Sequence, residues 1–338
     1  MRKMAIVGAT GAVGMEAIRV LEARDVPLSD LRLFASAKSV EQERAFTFRG
    51  TRIMVEDLAR ADFRGIDIAI FSVGSAATKI YAPRVREQGC IVVDNSSAYR
   101  LHDDTPLVVP EINAHALHSH RGLIANPNCT TAITLMALFP LHLIFDATRI
   151  SVTSYQAASG AGNRGLYELQ AQLVSHHGET RVGDGRWREK MHSGVFPYPI
   201  ALNVFPHIGS FNDIGSTDEE MKVLNEGRKI LGHASLRASV TCVRVPVERV
   251  HCMDVLAEFE RPVDVFKAHE ALRQMPGLDV FEGASIPTPL QYAGKYNCAV
   301  ARVRVDQAFD NSLRFWVLGD QLLKGAALNA VQIAELLL

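Results

Sequence analysis

Cysteine is scarce in this chain, with five in 338 residues. Cys90, Cys129, Cys242, Cys252 and Cys298 are odd in number and form no CxxC pair. That spacing excludes a disulfide framework and a zinc knuckle. The adjacent His176 and His177 read as a polar loop pair, so no metal site is expected. An excess of one charge is also missing: Lys and Arg number 36 against 37 Asp and Glu. This lacks the basic footprint of a nucleic-acid binder. No apolar run reaches the roughly 20 residues of a membrane helix. The opening MRKMAIVGAT loses its apolar run at Gly8 and reads as a first strand, not a signal peptide. Repeats and low-complexity tracts are missing. What is present is 48% hydrophobic residues, enough for a sizeable core. Length predicts about two domains, and the expected class is a soluble, cytoplasmic α/β protein.

The runs 3–8, 31–36, 66–74 and 90–97 are apolar stretches ending in small or polar residues. Such runs suit strands buried on both faces of a parallel sheet. Helical spacing occupies 15–23 and 76–88. The order predicts a doubly wound, Rossmann-like parallel sheet over the first 125 or so residues. Further on, 149–157, 236–247, 251–259, 296–305 and 313–319 alternate in polarity. Alternation predicts a largely antiparallel sheet with one covered face. Helices are predicted at 164–175, 217–231 and 263–274, with one long helix over 321–338. Residues 176–195 read as a loop or an arm.

GATGAVG sets Gly8, Gly11 and Gly14 between the first strand and first helix. Glycine permits the tight turn and close approach of a diphosphate, which the helix N-terminus then attracts. A tight packing turn is the plainer alternative. An NAD site usually carries Asp or Glu about 20 residues past the motif. Here stand Ser36, Lys38 and Ser39, a cation and two hydroxyls that suit a 2′-phosphate and favour NADP. The alternative is a solvated polar loop, with Glu41 and Glu43 nearby.

In IANPNCTTAITLMALFPL, Cys129 opens an apolar helical run. The helix dipole favours thiolate there, making Cys129 a candidate nucleophile. The other four cysteines lie in or beside apolar strand patterns and read as core residues. A dinucleotide domain with an activated cysteine suggests one chemistry. The thiolate attacks an acyl carbon or aldehyde, hydride passes to or from nicotinamide, and a thioester holds the acyl group.

With these residues in hand, the chain resembles the aspartate-β-semialdehyde dehydrogenases along essentially its whole length. The resemblance rests on GATGAVG (8–14), DNSSAYR (94–100), VVPEIN (108–113), NPNCTT (126–131), YQAASGAG (155–162), EEMK (219–222), RVPVERVH (244–251) and KGAALNAVQIAE (324–335), in order. It implies an NADP-binding domain (1–127), a catalytic and dimerisation domain (128–320) and a terminal helix (321–338) returning to the first. It implies reversible, NADP-dependent reductive dephosphorylation of L-aspartyl 4-phosphate to aspartate semialdehyde. That step leads to lysine or diaminopimelate, threonine, methionine and isoleucine. A homodimer or dimer of dimers is implied as well.

The implied roles fall on named positions. Cys129 is the nucleophile, His251 the general acid/base, and Gln156 positions the substrate. Arg244 holds the substrate carboxylate and Glu219 its ammonium. Arg100, Asn128 and Lys222 take the phosphate. The cofactor set is Gly8, Thr10, Gly11, Ala12, Val13, Ser36, Lys38, Ser39, Ser72, Asn95, Ser159, Gly160 and Gln321. Lys38 stands where many relatives have arginine, and His207 and Ser210 stand where Gln and Asp are expected. A related N-acetyl-γ-glutamyl-phosphate reductase would carry NPGCYPT, and a glyceraldehyde-3-phosphate dehydrogenase SCTTN. The rival of another class is a catalytically silent paralogue with a structural or partner-binding role, which usually loses the nucleophile.

Overall fold

The computed structural model describes residues 2–176 and 194–338. Most of the segment 176–195, His177 included, lies outside the described residues. The chain divides into two compact units. One comprises Met1–Phe139, Asn225–Ala234 and Leu322–Leu338; the other comprises Pro140–Leu224 and Ser235–Gln321.

The first unit is built on β1 (Arg2–Val7), β2 (Leu28–Ala35), β3 (Ala45–Phe48), β4 (Thr51–Asp57), β5 (Ile68–Phe71), β6 (Ile91–Asp94) and β7 (Leu123–Ala125). Their order is β3-β4-β2-β1-β5-β6-β7. Every pairing is parallel except the β3–β4 hairpin at one edge. Met4 to Val7 and Ile68 to Phe71 are essentially inaccessible to solvent, as strands covered on both faces must be. The hairpin was not anticipated because its strands are short and carry polar, exposed positions, the pattern of a sheet edge. Helices Ala12–Ala23 and Ser75–Glu87 follow β1 and β5.

The predicted single helix over 321–338 is corrected. Residues Leu323–Ala327 form a π-helical turn and only Leu328–Glu335 is α-helical. The π turn places Lys324, only 2% exposed, in a network within this unit. Its ammonium donates to Glu111, to Asn329 Oδ1 at 2.8 Å and to Gln332 Oε1 at 2.9 Å. Arg24 anchors this helix to Ala12–Ala23 through Glu335, Nη2 to Oε2 at 2.7 Å.

The second unit contains β8 (Ala147–Gln156), β9 (Arg237–Arg244), β10 (His251–Phe259), β11 (Leu278–Val280), β12 (Cys298–Val305) and β13 (Ser312–Gly319). They run in the order β11-β12-β13-β10-β8-β9. The three inner pairings are antiparallel, and β8 with β9 and β11 with β12 are parallel. Along β8, Ile150, Val152, Ser154 and Gln156 are all buried while Arg149, Ser151 and Tyr155 are exposed. A period of two therefore carries Gln156 onto the covered face.

Candidate functional site

In the first unit the expected cofactor residues gather at the carboxyl ends of the parallel strands, where open α/β sheets bind ligands. Gly8 follows β1 with φ +86°, and a Cβ there would lie 2.3 Å from the Ser72 carbonyl oxygen. A Cβ on Gly14 would lie 2.2 Å from the Gly8 carbonyl oxygen. Only glycine fits either position. The helix Ala12–Ala23 starts after Gly11 with no acidic residue in its first turn. Its leading N–H groups, from Ala12 and Val13 onward, suit an anion. The geometry fits a dinucleotide diphosphate. At the end of β2, Thr10 Oγ1 lies 3.3 Å from Ser39 Oγ, and Ser39 Oγ lies 3.4 Å from Ser36 Oγ. Lys38 is exposed in the same short turn, Ala37–Val40. After β6, Asn95 Nδ2 donates to the Phe71 carbonyl (2.9 Å) and Ser72 Oγ (3.3 Å).

The loop after β7 leads into the helix Cys129–Phe145. Asn128 is its N-cap. Asn128 Oδ1 accepts from the N–H groups of Thr130 (2.9 Å) and Thr131 (3.2 Å), and Ala132 N–H closes on the Asn128 carbonyl. Cys129 is the first helical residue and is only partly buried, whereas Cys90, Cys242, Cys252 and Cys298 are buried. Burial pushes the thiols of Cys90 and Cys252 up to about 12. Arg100 is buried and committed on three donors: Nε to Asn126 O (2.9 Å), Nη2 to Asn95 O (2.7 Å) and Nη1 to Glu226 Oε1 (3.0 Å). Glu226 Oε2 also accepts from the Asn128 N–H at 2.6 Å.

Glu226 was missed from the sequence. It lies seven residues beyond Glu219 on the helix Asp218–Leu231, hence on nearly the same face. That spacing was the available signal. Glu220 was also passed over. Its carboxylate accepts from the N–H groups of Thr217 (2.7 Å) and Cys242 (3.0 Å). Thr217 and Glu220 have the T-x-x-E spacing of a capping box.

In the second unit the strand register assembles the other predicted residues. Gln156 and Arg244 are direct partners across β8 and β9. His251 opens β10, whose next residue Cys252 faces Tyr155, and His251 itself faces Gly319 of β13. Four neighbouring strands thus place these residues at one end of the sheet. Gln156 Nε2 donates to Glu219 Oε1 at 3.3 Å and Lys222 Nζ to Glu219 Oε2 at 3.0 Å. Arg244 Nη1 donates to the Ala157 carbonyl at 2.6 Å, and its guanidinium lies 5.4 Å from the Phe196 ring centroid. His251 is fully buried, and its Nδ1 accepts from the Ala157 N–H at 3.1 Å. Burial, then the Arg244 charge, push its imidazolium down to about 3, against opposing pulls from Glu219 and from a hydrogen bond to the Val250 backbone. A Cβ on Gly160 would crowd Arg244 Nη1 at 2.9 Å and His251 Nε2 at 3.0 Å.

Gln321 is tied on both sides: its Nε2 donates to Ser159 Oγ at 2.6 Å and its Oε1 accepts from the Val250 N–H at 2.7 Å. Ser159 donates onward to the Glu248 carbonyl. Val250 has φ +81°, a strained conformation for a β-branched residue. No local sequence signal marks it. His207 packs its ring near Phe211 (4.7 Å) and Tyr198 (6.0 Å). No helix among the described residues is long and apolar enough to cross a membrane.

Residues 3–120 match the family model described as semialdehyde dehydrogenase, NAD binding domain. Residues 138–324 match semialdehyde dehydrogenase, dimerisation domain. The chain is 47% identical to the aspartate-semialdehyde dehydrogenase of Streptomyces akiyoshiensis, covering 99% of this chain and 98% of that one. It is 44% identical to that of Corynebacterium glutamicum, covering 100% and 99%. Its fold is similar to aspartate semialdehyde dehydrogenase II from Vibrio cholerae, solved as a complex with ASA, at a TM-score of 0.95 and 38% identity over 100% of this chain and 98% of that one. A motif set spread along the chain, a parallel sheet made for a nicotinamide dinucleotide and near-complete relatives agree: this chain belongs to the aspartate-semialdehyde dehydrogenase family of oxidoreductases.

Proposed function

We propose that the chain reduces L-aspartyl 4-phosphate to L-aspartate 4-semialdehyde with NADP as cofactor, reversibly, on the route to lysine and diaminopimelate, threonine, methionine and isoleucine. The observation that most supports this is the cluster of Gln156, Glu219, Arg244 and His251 in one unit. It offers a cation for a carboxylate, an anion for an ammonium and an imidazole for the reacting oxygen.

Cys129 Sγ adds to the acyl-phosphate carbonyl carbon. Its C–O bond to phosphate then breaks, and phosphate leaves a thioester behind. The nicotinamide, when bound, supplies the hydride that takes the thioester to the aldehyde level. Arg244 grips the substrate α-carboxylate in a planar, two-donor fashion, and Glu219 pairs with the α-ammonium. Gln156 orients the substrate, and His251 is the general acid/base. Arg100, Asn128 and Lys222 receive the phosphate. The glycine turn and the set Ser72, Asn95, Ser159, Gly160 and Gln321 hold the dinucleotide. Lys38, with Ser36 and Ser39, selects NADP over NAD. In this reading residues 1–127 bind the cofactor, 128–320 carry catalysis and dimerisation, and 321–338 return to the first part. The protein works in the cytoplasm as a homodimer or a dimer of dimers.

The test is the reverse reaction. Aspartate semialdehyde, NADP and phosphate should yield phosphate-dependent NADPH, and Cys129→Ala should lower the rate by more than about 10³-fold. Activity surviving in that variant would overturn the nucleophile. No turnover with NADP or NAD, nor with N-acetylglutamate semialdehyde, would point to a silent paralogue.

A further inference from the structure

We propose that the buried amides of Asn126 and Asn329, anchored on Lys324, are positioning residues of the dinucleotide site. They hold the Asn95 amide one way round and so keep the Ser72 hydroxyl as a hydrogen-bond donor to the cofactor. The proposal rests on the reading above that Asn95 and Ser72 hold the dinucleotide, and it says what sets them. Every residue in it belongs to the first unit.

Four side chains follow one another in a line. Lys324 Nζ donates to Asn329 Oδ1 at 2.8 Å. Asn329 Nδ2 donates to Asn126 Oδ1 at 2.6 Å. Asn126 Nδ2 donates to Asn95 Oδ1 at 2.9 Å. Asn95 Nδ2 ends the line on the Phe71 carbonyl (2.9 Å) and Ser72 Oγ (3.3 Å). Lys324, Asn329 and Asn126 are each no more than 2% exposed, where an unpaired amide is costly.

The ends of this line allow one direction only. An ammonium can only donate, and a backbone carbonyl can only accept. The other two N–H groups of Lys324 go to Glu111 and Gln332. Two more carbonyls fix the same sense midway: Asn329 Nδ2 also reaches Val108 O at 2.9 Å, and Asn126 Nδ2 reaches Ala326 O at 3.4 Å. Asn329, Asn126 and Asn95 therefore all present oxygen to the side chain before them and nitrogen to the group after. Buried chains polarised this way strengthen their members.

Asn95 thus arrives at Ser72 as a donor. Ser72 Oγ accepts, and its single proton is turned away from Asn95. Ser72 is partly exposed and directly follows β5, at the carboxyl end of the sheet. Its own carbonyl lies against Gly8 of the glycine turn, where a Cβ would come to 2.3 Å. The hydroxyl therefore keeps a donor for a ligand at the end of the sheet where that turn stands. Asn126→Asp should reverse the last part of the line. A carboxylate at this position still accepts from Asn329 but repels Asn95 Oδ1. Asn95 must then turn its amide over, giving Nδ2 to residue 126 and Oδ1 to Ser72. The Ser72 proton is drawn inward and lost to the cofactor.

The test is NADPH binding at pH 8, read by the change in cofactor fluorescence with no other substrate present. Asn126→Asp should weaken binding about tenfold, and Ser72→Ala by a similar factor, roughly the worth of one hydrogen bond. The double variant should bind no more weakly than either single one. A loss of about a hundredfold in the double variant would mean that residue 126 acts apart from Ser72, as by charge repulsion, and the proposal is wrong. Unchanged affinity in either single variant would overturn it too. Asn126→Ala covers the case in which Asn126→Asp does not fold. It removes the donor to Asn95 while Val108 still serves Asn329, and its loss of affinity should vanish in the Ser72→Ala background. A loss that persists there counts against the proposal. If the wild type binds NADPH but forms none from aspartate semialdehyde and phosphate, the proposed function fails, and the binding data still decide on the relay. If the wild type does not bind NADPH, both fail.

Discussion

At the scale of single residues, buried His251 links acidity to stability. Its imidazolium is held near 3 in the folded chain against 6.5 ordinarily, so the unfolded chain binds the extra proton between those values. The stabilisation is complete above 6.5 and drains away as pH falls toward 3. Urea denaturation over that range should show the wild type losing stability faster than His251→Gln, by up to about 1.4 kcal/mol per pH unit. Equal slopes would mean that Arg244, which helps depress the imidazolium, and Glu219, which resists, leave the ring close to its ordinary basicity. Gly8 offers a second single-residue test. Gly8→Ala combines a left-handed backbone with a Cβ 2.3 Å from the Ser72 oxygen. It should lose about 2 kcal/mol or more and bind the dinucleotide far more weakly, as read by quenching of cofactor fluorescence.

At the scale of elements, the helix Cys129–Phe145 depends on its cap. Asn128→Ala should cost about 1 kcal/mol in denaturant unfolding, while Asn128→Ser, which keeps a capping oxygen, should regain most of it. If the amide also receives phosphate, both variants raise the KM for phosphate. Recovery of that KM in Asn128→Ser would confine Asn128 to capping. The π turn Leu323–Ala327 makes a similar argument about burial. Lys324→Met strands the Glu111 carboxylate, which should destabilise by about 3–5 kcal/mol. Adding Glu111→Gln should restore a good part, since no lone charge then remains. A double variant as unstable as the single one would locate the loss in the π turn itself.

At the scale of the whole molecule, burial sorts the cysteines. Four are buried and one is partly exposed at a helix start. A native-state alkylation experiment read by mass spectrometry should give one rapidly modified residue, Cys129, and five after denaturation. Fast modification of Cys90 or Cys252 would contradict the burial that raises their thiols to about 12. Two of the helices that carry predicted site residues have residues in both units. The helix Cys129–Phe145 passes from one unit to the other at Phe139, and Asp218–Leu231 does so at Leu224.

The sequence by itself determined the parallel sheet, the glycine turn and the place of Cys129. Each is a local matter: apolar runs such as MAIV and IAIF, glycines in consecutive turns, and a polar break before an apolar helix. It also named Gln156, Arg244 and His251, but only through a family resemblance. Their residue types and spacing carry no local sign that they belong together. Only the tertiary structure decided that, because strand register brings the end of β8, with Gln156, beside the start of β10, with His251, and pairs Gln156 with Arg244 of β9. It also decided which partners buried charge acquires: Glu226 for Arg100 and Glu111 for Lys324. It likewise aimed the Ala157 amide at one nitrogen of His251. Buried charges and orphan donors are satisfied by whatever folding brings within about 3 Å, and that proximity is a property of the packed chain, not of its order.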